Sequence, residues 1–197
     1  MEDKKVCRDL EKAGVKVNSV YDLANSKTDY KVAIPVLLKW LSEARTAPVL
    51  EGIVRALTLK SAGEEVGRAL INQFEKTEVT NDQQQNIKWA IGNAIAEVAT
   101  PAVIEELYRL ALEKKHGKSR QMIVMALGKK GKKRRQETIH ILVELLRDPD
   151  VQGHALVALG YLKPKEVQSS IDPFVKHENA WIRQEARRAL AKAASGK

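Results

Sequence analysis

Ten of the residues from Lys114 to Arg135 are lysine or arginine, and none is acidic. A run of that kind can hold a phosphodiester backbone through contacts that weaken steeply with salt. Lys114, Lys115, Lys118, Arg120, Lys129, Lys130, Lys132, Lys133, Arg134 and Arg135 are therefore candidate nucleic-acid contacts. Gly117 and Gly131 lie within the run but match no phosphate-loop pattern. No base-stacking motif accompanies the lysines. The competing reading is a solvated basic surface, or cations placed near helix C-termini.

Other reactive residues are sparse. His116, His140, His154 and His177 have no partner at a spacing that suits zinc, and each is expected on the surface or in a loop. Cys7 has no nearby histidine and reads as an inert thiol. Glu64–Glu65 and Glu105–Glu106 fall at expected helix N-termini, where negative charge is favourable anyway. There is no nucleophile elbow, nucleotide loop or metal box. The sequence therefore predicts no catalytic residue, no metal, no cofactor and no enzyme.

One cysteine excludes an intramolecular disulfide. The first residues lack the apolar stretch of a secretion signal, and the longest apolar run, 32–38, is too short to span a bilayer. The expected setting is cytoplasmic, with no membrane partner. The net charge of +9 is uneven. Residues 1–100 carry 14 basic and 14 acidic side chains, whereas residues 101–197 carry 20 and 11. Such asymmetry speaks about partners, not about fold.

The elements that would position these residues form a repeat. Triplets of a small, an apolar and a small or polar residue recur as ALT at 56–58, AIG at 90–92, ALG at 126–128, ALG at 158–160 and ALA at 189–191. The spacings are 34, 36, 32 and 31. Three residues before each stands Ile53, Ile87, Ile123, Ala155 or Ala186, on the same helical face. A second amphipathic run precedes each triplet, at 30–44, 64–76, 102–115, 137–147 and 166–176. Each unit thus reads as helix A, a short turn and helix B. Asp82 and Asn179 are expected helix-start residues, and Pro173 should kink or shorten the last A helix. Residues 1–29 break the pattern and read as an N-terminal helical cap. Residues 30–197 read as one continuous repeat domain with it.

Residues 148–162 (DPDVQGHALVALGYL) and 178–194 (ENAWIRQEARRALAKAA) carry an acidic turn, then an apolar residue, then alanine, then Ala-Leu-small. This resembles the phycobilin-lyase-type subgroup of HEAT repeats, whose pattern is an acidic turn, then Val-Arg, then Ala, then Ala-Leu-Gly. Arg120 and Arg183 match its arginine position; Gln152, Gln84 and Leu50 depart from it. The resemblance implies an all-α fold, a right-handed α-α superhelix of about five helix pairs plus the cap. It is nearly silent on activity, because such repeats serve enzymes, scaffolds and adaptors alike.

The same resemblance implies that B helices line the concave side. Positions flanking each triplet then give Arg55 and Leu59, Trp89 and Asn93, Met125 and Lys129, Val157 and Tyr161, and Arg188 and Lys192. One turn earlier come Glu51, Gln85, Gln121, Gly153 and Gln184. Aromatic and methionine anchors rimmed by Gln, Arg and Lys suit a protein or peptide partner. The alternative places Trp89 and Val157 in ordinary core. A nucleic-acid-binding module is the second functional expectation. A repair enzyme resembling the HEAT-like DNA glycosylases is the third, although Glu51, Glu97 and Glu185 have no spacing that pairs them with Trp89 or Tyr161.

Overall fold

A computed structural model describes residues 2–26, 29–59 and 61–195. Both termini of the expected cap-plus-repeat span, Met1 and Gly196–Lys197, lie outside the described residues, as do Lys27 and Thr28 of the cap. The fold is all-α, with no strand among the described residues. It is a repeat fold of helix pairs, as the period predicts. The chain is described as two compact units, the first ending at Thr100 and the second starting at Pro101.

The first unit begins with the cap, α1 (Glu2–Lys12) and α2 (Tyr21–Ala24). Val6 and Leu10 of α1 are fully buried, with Val20 and Leu23. Three acidic residues of α1 fasten it. Glu2 accepts the backbone N–H groups of Arg45 and Thr46, each at 2.9 Å, and the Thr46 hydroxyl at 2.6 Å. The Thr46 bond above all holds the Glu2 carboxyl below its usual range. Asp3 accepts the Val20 N–H at 3.1 Å, and Asp9 accepts the Trp40 indole N–H at 3.1 Å.

Two helix pairs follow: α3 (Ile34–Glu43) with α4 (Ala47–Leu57), and α5 (Gly63–Lys76) with α6 (Asp82–Val98). Their apolar faces meet through Leu37, Ile53, Leu57, Leu70, Phe74, Ile91 and Ile95, all fully buried. Burying each such side chain is worth about 1.5–3 kcal/mol. The N-cap of α6 is Asn81, whose side chain accepts the Gln84 N–H at 2.9 Å. Asp82, expected in that role, is instead the first helical residue. Lys88 points inward: its ammonium donates to the Thr77 carbonyl at 2.6 Å and lies 4.9 Å from the Phe74 ring.

The second unit holds three pairs. α7 (Ile104–Leu112) precedes α8 (Gln121–Lys130), and α9 (Arg135–Leu145) precedes α10 (Gln152–Leu162). The last A segment is broken into a 3-10 turn, α11 (Gln168–Ile171) and a second 3-10 stretch from Asp172 to Lys176. Pro173 lies in that stretch and shortens the helix, because it lacks the N–H that an inner turn needs. The B helix is α12 (Ala180–Ala194), capped by Asn179, whose side chain accepts the N–H groups of Trp181 and Ile182.

In this unit the B helices α8, α10 and α12 pack side by side. The small residues of the triplets make that possible. A Cβ on Gly128 would stand 2.5 Å from the carbonyl oxygen and 2.7 Å from the Cα of Ala158. At Gly128 the small residue of the triplet is thus a contact requirement between α8 and α10.

Candidate partner-binding site

In the first unit, α4 and α6 leave an open groove of about 850 Å³. Trp89, Asn86 and Asn93 line it from α6, and Arg55 and Glu51 from α4. The groove is closed at one edge by Tyr21, Ala24 and Asn25 from the cap. Trp89 is 45% exposed, between Lys88 and Ile91, which are buried. The helix turns its indole away from the core at a position where either outcome was open. Arg55 is held by Glu51 at 2.8 Å, an i,i+4 pair within α4. Leu59 and Gln85 are half-buried and do not line the groove.

Sequence spacing pairs no carboxylate with Trp89, yet the groove brings Glu51 and Glu97 to the same opening as the indole. The contribution of Tyr21 and Asn25 was also missed. They come from a segment read only as a cap, and no short-range pattern ties them to α6.

In the second unit, the predicted stripe is divided: Gly153 is buried against the Trp181 ring, whereas the other positions of α8, α10 and α12 flanking the triplets reach the surface. Tyr161 is 38% exposed, while Gln121, Met125 and Val157 are half-buried and Lys129, Arg188 and Lys192 are exposed. Two ammonium groups approach one ring: Lys129 at 5.7 Å and Lys192 at 5.4 Å from the Tyr161 centroid. Arg188 donates to Glu185 at 2.5 Å. Glu185 is otherwise buried, so it balances Arg188 rather than presenting a free acid. Arg187 and Arg188 of α12 also line a shallow depression of about 420 Å³ with Arg183 and Gln184.

Trp181, not singled out in the sequence, is 41% exposed on the first turn of α12. Its ring lies 5.0 Å from that of His154 on α10. Burial pushes the His154 imidazole from its usual 6.5 down to about 4. The folded protein therefore keeps this ring neutral, whereas the unfolded chain takes up a proton below 6.5. Between 6.5 and about 4 the unfolded state binds more protons, so folding stability falls as pH falls through that window. A His154→Gln variant is expected to lose less stability than the native chain between pH 6.5 and 4.5 in urea titrations. Parallel losses in both proteins would contradict this.

The basic region proves heterogeneous. Arg120 is a correction: it is fully buried and cannot touch a nucleic-acid backbone. Its guanidinium bonds Asp148 at 2.8 Å, the Ala111 carbonyl at 2.9 Å and the Gly117 carbonyl at 2.9 Å. Gly117 adopts φ +50°, a left-handed value natural to glycine, at the start of this turn. Lys115 pairs with Glu113 at 2.8 Å. That bond, with Arg109 also contributing, holds the Glu113 carboxyl down to about 2. Arg134 pairs with Glu105 and with Glu137, and Arg135 with Glu166 at 2.8 Å. Lys114, Lys118, Lys132 and Lys133 are exposed, and Lys130 is half-buried. The first two stand before α8 and the next two after it, about 15 Å apart along a ten-residue helix.

His116, expected at the surface, is also buried and bonds Glu113 at 3.1 Å. Among the described residues, no three His, Cys, Asp or Glu side chains gather as a metal site. Among the same residues, no helix is long and apolar enough to cross a membrane.

No protein-family model matches the chain, and no curated protein matches it. Solved structures do. An engineered protein whose crystal structure comes from a structural genomics consortium aligns over 100% of this chain and 98% of its own, at 18% identity and a TM-score of 0.53. A designed armadillo repeat protein in complex with the peptide (KR)4 aligns over 93% of this chain and 91% of its own, at 15% identity and a TM-score of 0.54. At these identities the likeness shows the fold: a helical repeat protein of armadillo type. The narrower resemblance to phycobilin-lyase-type repeats rests on the two sequence motifs alone.

Proposed function

We propose that this chain is a non-catalytic scaffold that holds a protein or peptide segment on the exposed faces of its B helices. One observation carries the reading. Trp89 and Tyr161, among the largest side chains available to the core, stand 45% and 38% exposed on helices whose other faces are closely packed. Solvent contact of a large apolar ring costs free energy unless another molecule covers it in use. Aromatic rings with polar neighbours are also the side chains that dominate binding energy at interfaces. Trp89 has the amides of Asn86 and Asn93 beside it, and Tyr161 has two lysines. Amides and cations at those positions can meet the backbone carbonyls of an extended segment. A designed repeat protein of the same fold holds a peptide, which supports the reading without naming a ligand.

The test is a selection of displayed random peptides on the native chain, followed by fluorescence anisotropy with the selected sequences. Trp89→Ala with Tyr161→Ala removes the anchor of either unit, so a peptide docked on one of them is expected to bind about 30-fold more weakly, an anchor being worth on the order of 2 kcal/mol. Both side chains are exposed, so the double variant should retain its helical circular dichroism. Peptides that bind the double variant as tightly as the native chain, or a selection that yields none, would contradict the proposal.

A further inference from the structure

The two units differ in the charge of their B helices. In the first, α4 and α6 carry Glu51, Asp82 and Glu97 against Arg55 and the buried Lys88. In the second, α8, α10 and α12 carry Lys129, Lys130, Arg183, Arg187, Arg188 and Lys192 against the single carboxylate of Glu185. That carboxylate is buried and already bonded to Arg188.

The cations are also arranged around a fixed centre. Tyr161 stands between Lys129 from α8 and Lys192 from α12, at 5.7 and 5.4 Å from its ring. The stem of Lys192 lies over Gly160, where a Cβ would meet its Cδ at 3.6 Å and its Nζ at 3.7 Å. Like charges brought to one ring repel each other, and an anion that meets both ammonium groups relieves that repulsion. The ring adds a flat apolar surface on which the methylenes of a side chain can rest.

Resting on the proposed scaffold function, we infer that the B-helix face of the second unit docks an acidic peptide segment. Its carboxylates bridge Lys129 and Lys192 across Tyr161, and the exposed Arg187 takes the next acidic position. Charge complementarity sets this choice: an acidic chain meets cations from two helices, whereas a basic chain meets them as like charges. The proposal does not require either lysine to be unpaired in the free protein. A rigid polyanion is less well matched, because Arg120 is withdrawn into the interior and Arg134 and Arg135 are committed to Glu105, Glu137 and Glu166.

Fluorescein-labelled (Asp-Glu)4 and (Lys-Arg)4 peptides and an eight-nucleotide single-stranded RNA, titrated separately at 50 and 200 mM salt, test it. The acidic peptide should bind, the basic peptide should not, and the RNA should bind at least about tenfold more weakly than the acidic peptide. Lys129→Glu with Lys192→Glu should abolish acidic-peptide binding, and Tyr161→Ala should weaken it about tenfold. The milder Lys129→Ala with Lys192→Ala covers the case in which charge reversal disturbs folding, and it should still lose about tenfold. Lys16→Glu, at an exposed position of the first unit, should leave it within about twofold.

Equal binding of the acidic peptide by the native chain and both lysine variants would overturn the inference, as would tighter binding of the RNA. If the acidic peptide fails while peptides from the unbiased selection still bind through Trp89, the inference fails and the scaffold function stands. If no peptide of any charge binds, the scaffold function fails with it.

Discussion

Replacing Arg120 by alanine should lower folding stability by about 3–5 kcal/mol, the loss expected when one partner of a buried ion pair is removed. The guanidinium is fully buried, and Asp148 opposite it is 8% exposed. Truncation leaves the Asp148 carboxylate without its cation and strips hydrogen bonds from the carbonyls of Ala111 and Gly117. The same arginine links the end of α7 and the turn before α8 to the turn after α9, so the loss spreads through the second unit. Urea unfolding followed by circular dichroism measures it. A change under about 1 kcal/mol would mean that Arg120 is solvated, as an exposed ion pair would be. Arg120→Met combined with Asp148→Leu should recover much of the loss, because a matched apolar pair carries no desolvation cost.

Gly128→Ala should cost about 2–3 kcal/mol, although alanine is the better helix former by about 1 kcal/mol. The added Cβ meets three backbone atoms of Ala158, at 2.5, 2.7 and 2.9 Å. Backbone cannot rotate aside, so α8 and α10 must separate. Gly160→Ala is the control. Its Cβ would meet the Ala189 Cα at an ordinary 3.7 Å, so the change should be neutral or stabilising by up to about 1 kcal/mol. The pair of variants is compared by thermal unfolding. If both glycines tolerate alanine equally, the close approach of α8 to α10 is not what fixes the triplet.

The fold was legible because a contact requirement leaves a periodic trace. Gly128 must be small where α8 meets α10, and small residues recur at that place in the period, Gly160 among them, although its own surroundings are roomier. The stripe around Trp89 and Tyr161 was legible for the same reason: residues one position from a buried helical face fall on its border. Burial at that border was not legible. Lys88 neighbours Trp89 in sequence but sits inside, because the free carbonyl of Thr77 at the end of α5 gives its ammonium a partner. Arg120 was placed with the solvated lysines because it ends a basic run. Its true partner, Asp148, lies 28 residues on, and long-range pairing leaves no local signal. Tyr21 and Asn25 were missed for a similar reason: nothing near them in sequence shows that the cap reaches a groove on α4 and α6.

Heteronuclear NMR of the isotopically labelled chain, titrated with a selected peptide, tests the scaffold account most directly. The account predicts that shift changes concentrate on the exposed positions of the B helices, around Arg55, Trp89 and Asn93 or around Met125, Val157, Tyr161 and Lys192. Changes confined to the A helices α5, α7 and α9, or to residues 114–120 and 131–135, would contradict it.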